Sequence, residues 1–100
     1  MNTIWKYPLE ICDEQVIQVP CFARVLSLGL DPSGKPCLWM LVDTTADKHL
    51  MHIRIYGTGR KIDLPVNWAY LGHVVMGPLV WHFLANGEDI QPYLTMAERP

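Results

Sequence analysis

Nothing in this chain is apolar for long enough to cross a membrane. Its first residues, Met1-Asn2-Thr3-Ile4-Trp5-Lys6-Tyr7-Pro8, lack the basic start and long apolar segment of a secretory leader, so a cytoplasmic protein is expected. No basic run occurs, and the formal net charge is −2 with neutral histidines. Non-specific nucleic-acid binding draws on many Lys and Arg contacts to phosphate, so this balance argues against it. The three cysteines, Cys12, Cys21 and Cys37, are odd in number and form no CxxC pair. That count suits reduced thiols rather than a disulfide framework. There is no GxSxG and no HExxH, and Cys12 and Cys21 lie among apolar neighbours where thiols are usually inert. The paired carboxylates Asp13-Glu14 and Glu88-Asp89 fall in turn and tail sequence, where solvation is the default. The expectation is a protein that is not an enzyme and holds no cofactor. Repeats, low-complexity segments and runs of helical period are also missing.

What is present is alternation. Half of the 100 residues are hydrophobic, enough for one packed domain. The stretch from Arg24 to Val42 places two apolar runs around Asp31-Pro32-Ser33-Gly34-Lys35. Pro pre-sets φ, Asp can accept bonds from the following backbone, and Gly takes a positive φ without a Cβ clash. A hairpin follows, with Leu30 facing Pro36, Leu28 facing Leu38, Leu26 facing Met40 and Arg24 facing Val42. A second hairpin runs from Tyr70 to Leu84 around Gly77-Pro78, a Gly-first loop suited to a II′ turn. Its register sets Gly72 against Phe83, Val74 against Trp81 and His73 against His82.

Met51, Ile53 and Ile55 alternate with His52, Arg54 and Tyr56, the cleanest strand pattern in the chain. A continuous aliphatic face is obtained if Val42 lies near Met51, Met40 near Ile53 and Leu38 near Ile55. That register predicts a core of Leu26, Leu28, Leu38, Met40, Met51, Ile53 and Ile55, with Arg54 beside Trp39 on the opposite face. Thr3 to Tyr7 and Gln15 to Val19 add short strands ended by Pro8 and Pro20, the first of them at a sheet edge. Ile62 to Trp68 reads as a loop with one helical turn after Pro65. The fold expected is all-β, a small antiparallel barrel or sandwich of six or seven strands built on hairpins 24–42 and 70–84. It occupies residues 1–86 as one domain, and residues 87–100 form a tail or arm, with only Ile90, Tyr93, Leu94 and Met96 to bury.

Four blocks carry a resemblance. Ile4-Trp5-Lys6-Tyr7-Pro8-Leu9-Glu10, then Cys37-Leu38-Trp39 with Leu41-Val42-Asp43, then Ile53-Arg54-Ile55-Tyr56-Gly57-Thr58-Gly59, and Leu79-Val80-Trp81-His82 follow in order. Together they resemble a family of small proteins of tailed phages and prophages, a domain of unknown function, over Ile4 to Phe83. Two features depart from it: the loop at Gly77-Pro78 is shorter, and His73 stands where another polar residue such as Thr is expected. The family supplies no catalytic residues. The resemblance implies an accessory phage product in the bacterial cytoplasm that binds a host or defence component.

Three kinds of site can be weighed. His73 and His82, opposed across a hairpin, could share a metal with His49, His52 or a cysteine as third ligand, but the spacing fits no zinc motif and two packed neutral rings explain the pair better. Gly57-Thr58-Gly59-Arg60-Lys61 could cradle a nucleotide or other anion through backbone N–H groups, with Arg54 nearby, although no helix follows as in a P-loop. The aromatic residues are many for so short a chain, and the central hairpin is apolar on both faces. A protein partner would use such anchors, so Trp39, Arg54, Tyr56, Arg60, Lys61 and Trp81 are the candidate binding residues. Edge strands near the N-terminus and around Tyr70–Leu84 also suit a homodimer.

Overall fold

The computed structural model describes residues 1–64 and 67–86. Seven strands follow one another: β1 (Asn2–Pro8), β2 (Glu14–Pro20), β3 (Arg24–Leu30), β4 (Pro36–Asp43), β5 (Lys48–Gly57), β6 (Trp68–Met76) and β7 (Leu79–Asn86). They form a three-stranded sheet in the order β1-β4-β3 and a four-stranded sheet in the order β2-β5-β7-β6, all pairings antiparallel. The result is a sandwich, not a closed barrel. No helix occurs among the described residues. The expected helical turn after Pro65 and the tail 87–100 lie outside them. Trp68, expected in a loop, opens β6.

Both hairpins form as their turn residues require. Asp31 donates its N–H to the Lys35 carbonyl at 2.8 Å and accepts from Gly34 N–H at 2.8 Å, with Gly34 at φ 83°. Gly77 takes φ 61°, the left-handed value a Gly-first turn needs, and Gly72 faces Phe83 while His73 faces His82.

The long-range pairing departs from expectation. β4 and β5 are not neighbours, because β4 is paired on both sides by β1 and β3, and β5 by β2 and β7. The connection between them explains why. Asp43 accepts from Thr45 N–H at 3.0 Å and from its hydroxyl at 2.7 Å, closing an Asx turn rather than a hairpin. Thr44 N–H still bonds Met1 in the first sheet, while the Asp47 carbonyl already accepts Cys21 N–H in the second. The chain thus changes sheets within four residues. Leu38 and Met40 face Met51, Ile53 and Ile55 across the sandwich instead of alongside them, and all five are buried with Phe83, Val42 and Val19. Arg54 accordingly lies on a different sheet from Trp39.

A second correction concerns Leu26. The β3–β4 register shifts between Val25 and Ser27, so Val25 pairs with Met40 and Ser27 with Trp39. Leu26 is the extra residue of a bulge, 44% exposed, and Val25 packs on the core in its place. Leu28 packs there as expected. Leu26→Ser should therefore change the unfolding free energy by no more than about 0.5 kcal/mol in urea titration, whereas a core leucine would lose several times that.

The 31–35 turn carries a pH-dependent contribution. Asp31 accepts from Ser33 Oγ at 2.6 Å, Ser33 N–H at 2.9 Å and Lys35 N–H at 3.0 Å, and Lys6 Nζ stands 3.3 Å away. The Ser33 hydroxyl first, then the Lys35 amide, hold its carboxyl well below the usual 3.8. Asp43, bonded by the Thr45 hydroxyl and amide, is held down to about 2. A carboxyl depressed by folding stabilises above its unfolded pKa, and that contribution is lost as pH falls. The thermal midpoint should drop as pH is lowered below about 4, and Asp31→Asn should flatten that drop.

Candidate functional site

β5 ends where its alternation meets glycine. Arg60 N–H bonds the Gly57 carbonyl at 3.1 Å, and Gly59 sits at φ 87°, so the four residues close a turn with its positive φ at the third position. Trp81, opposite Gly57 in the β5–β7 ladder, lies over it: a Cβ at Gly57 would stand 3.5 Å from the ring and 3.7 Å from Arg60 Cγ. The missing side chain lets the indole and the Arg60 stem close on one spot. Beside them opens a cleft of about 280 Å³ lined by Asp13, Arg54, Tyr56, Arg60, Lys61, Asp63, Trp81 and neighbouring backbone. It joins five of the six expected binding residues. Trp39 is elsewhere, on the outer side of the other sheet against Gly29.

The cleft is charged but partly compensated. Arg54 Nη2 pairs with Glu14 Oε2 at 2.9 Å, its cross-strand neighbour. Lys61 Nζ stands 3.6 Å from Asp63 Oδ1, both largely exposed, a geometry worth little in water. Arg60 has no carboxylate partner among the described residues. The expected phosphate cradle is weaker than its sequence suggests, because Thr58 N–H bonds the Val80 carbonyl at 3.3 Å and Arg60 N–H closes the turn. Those two amides are committed to the fold.

The histidines meet as their register requires, with ring centroids 6.0 Å apart. His82 is held at both nitrogens: Nε2 lies 2.7 Å from Thr58 Oγ1 and Nδ1 lies 2.7 Å from Tyr70 Oη. A neutral imidazole donates at one nitrogen and accepts at the other, which suits two hydroxyls. The arrangement latches the 57–60 turn to β7 and β6. Among the described residues no third His, Cys, Asp or Glu joins the pair to make a metal-binding group. Of the thiols, Cys37 is buried and pushed up by that burial and by Asp31. Cys12, expected among apolar neighbours, is exposed, with Sγ 3.3 Å from the Glu14 carbonyl.

Asp63 was not named from sequence, while Asp13 and Thr58 entered only within a solvated carboxylate pair and the Gly-rich cradle, and Tyr70 only as the start of a hairpin. Tyr70 shares its sheet face with His82 only because the β6–β7 register shifts between Tyr70 and Gly72, and no residue pattern marks that bulge. Asp13 reaches the cleft because its carbonyl accepts Ile55 N–H at 3.1 Å, extending the β2–β5 pairing beyond the strand.

Fold and cleft together define a small antiparallel β-sandwich with an aromatic, charged notch at one end of its larger sheet. The chain belongs to the family described as Domain of unknown function (DUF7352), which it matches over residues 1–93. No curated protein and no solved structure matches it.

Proposed function

We propose that this protein is a non-catalytic binding module that engages a protein of a bacterial host or its defence, with the 54–63 cleft as the contact. One observation carries the reading: Trp81 and the Arg60 stem close on Gly57 in a notch that Arg54, Tyr56 and Lys61 also line, and Arg60 has no carboxylate partner among the described residues. Tyr, Trp and Arg are the residue types that dominate binding energy at protein interfaces. At about 280 Å³ the notch suits one or two protruding side chains of a partner. The resemblance of the Ile4–Phe83 blocks to phage and prophage proteins supports a host component as that partner. The Thr58–His82–Tyr70 chain is read as a structural latch.

A second reading rests on Arg60 and Lys61: a nucleotide or other small anion bound by side chains alone. Affinity capture from a bacterial lysate distinguishes the two. A specific host protein should be retained by the wild type and reduced at least about tenfold by Arg60→Glu or Trp81→Ala. Equal capture by both variants would remove the cleft from the account. A nucleotide that co-purifies, with no specific protein, would favour the second reading.

A further inference from the structure

Among the described residues the four sheet edges are not equally protected, and β2 is the least protected of them. An exposed edge strand is usually blunted by a bulge, a lysine, a proline or a covering element. β3 and β6 each carry a bulge, and they pack against one another, with Leu28 reaching the Gly72 backbone. On β1, the bonds from Thr44 to Met1 and from Leu9 to Pro36 show that odd-numbered residues face β4. The outward positions therefore include Lys6 and Pro8. On β2, Ile55 N–H bonds Asp13 and Cys21 N–H bonds Asp47, so here too the odd residues face the neighbour. Antiparallel pairs alternate, which turns the amides of Glu14, Val16 and Gln18 away from the sheet. The fourth outward position, Pro20, closes the end of the strand as Pro8 closes β1, but none of the other three is Lys or Pro, and the β2–β5 register is unbroken.

Two features at the ends of β2 point the same way. Phe22, two residues past the strand, holds φ 64° and is 76% exposed. A bulky residue in the left-handed region is strained, and such strain persists where the surroundings or a function demand it. At the other end, Ile11 is 36% exposed on a turn fixed by Gln15, whose Nε2 donates to the Glu10 carbonyl at 2.8 Å and whose Oε1 accepts Glu10 N–H at 3.1 Å.

We infer that β2 pairs antiparallel with β2 of a second copy of this chain, joining two four-stranded sheets into one of eight. The register that uses all three outward amides sets Val16 against Val16 of the copy and Glu14 against Gln18. The same register brings the Phe22 end of each strand toward the Glu10–Ile11 turn of the copy. This self-complementarity argues for a second copy over an unrelated peptide, since a two-fold axis supplies both halves of the contact. Val16, 49% exposed in one chain, becomes the apolar centre. The inference does not depend on what the cleft binds.

Light scattering on a sizing column, from micromolar to submillimolar concentration, decides it. The wild type should show twice the 11.4 kDa chain mass at the upper end. Val16→Pro removes an outward amide and no bond to β5, and should leave a folded single chain by circular dichroism. Val16→Lys gives the same outcome should proline distort the strand. Phe22→Gly suits the local φ and should raise the dissociation constant about thirtyfold through loss of an aromatic anchor. A wild type with the mass of one chain throughout would overturn the inference, and so would a dimer that survives all three substitutions.

Discussion

Met40→Asp leaves this protein unfolded at room temperature, as far-UV circular dichroism and a lost cooperative melt should show. Met40 is wholly buried in β4, between Trp5 on β1 and Val25 on β3, and points into the space between the sheets. Among the described residues no polar or charged side chain is fully buried there, so the new carboxylate has no partner. An unpaired buried charge costs several kcal/mol even after the group protonates, against a total stability of about 5–15 kcal/mol. Met40→Leu keeps the volume nearly constant and should cost less than about 1.5 kcal/mol. A folded Met40→Asp protein would mean that β4 does not run through the core.

Gly72→Val is expected to destabilise nearly as much, for a different reason. Gly72 follows the β6 bulge at φ 141°, a conformation L side chains rarely adopt, and a Cβ there would stand 3.3 Å from Leu28 Cδ2. The backbone strain alone is worth about 1–3 kcal/mol. Displacing Leu28 adds to it, because this contact closes the gap between β3 and β6. Gly34→Val isolates the first cost: φ is 83° and nothing lies within 4 Å of its Cβ position. In urea titration Gly72→Val should lose clearly more than Gly34→Val. Equal losses would mean that the two sheets do not meet at Leu28.

These two glycines show what local sequence carries and what it does not. Gly34 and Gly77 were legible because their neighbours spell out turn chemistry, and the two hairpins followed, with the first register correct from Leu28 to Leu38 and displaced beyond the bulge, where Arg24 pairs with Leu41 rather than Val42. The alternation of β5 likewise marked Met51, Ile53 and Ile55 as core. Alternation says which face of a strand is buried, however, not which strand lies beside it. The same apolar face satisfies a three-strand sheet and a two-layer sandwich equally well, and the choice goes with an Asx turn at Asp43, after which the chain changes sheets within four residues. Bulges are silent in the same way: Leu26 and Val25 are both aliphatic, and only the ladder decides which one turns inward. For the site, the strand-ending turn and its flanking aromatic and basic residues could be named in advance, because Gly-rich turns and Trp are conspicuous. Trp39 was misplaced with them as a consequence of the wrong partner for β4. Asp13, Asp63, Thr58 and Tyr70 arrive through tertiary contacts, and their residue types are ordinary for loops and strands.

The central claim is that a partner docks at the Trp81 end of the larger sheet, and the four tryptophans allow it to be tested in one spectrum. Trp5 lies on β1, Trp39 on the outer side of β4, Trp68 at the start of β6, and Trp81 in the cleft. With 5-fluorotryptophan incorporated, each gives its own fluorine resonance. Adding the captured host protein should shift or broaden the Trp81 signal while Trp5 and Trp39 stay unchanged. A spectrum in which Trp39 moves and Trp81 does not would contradict the account.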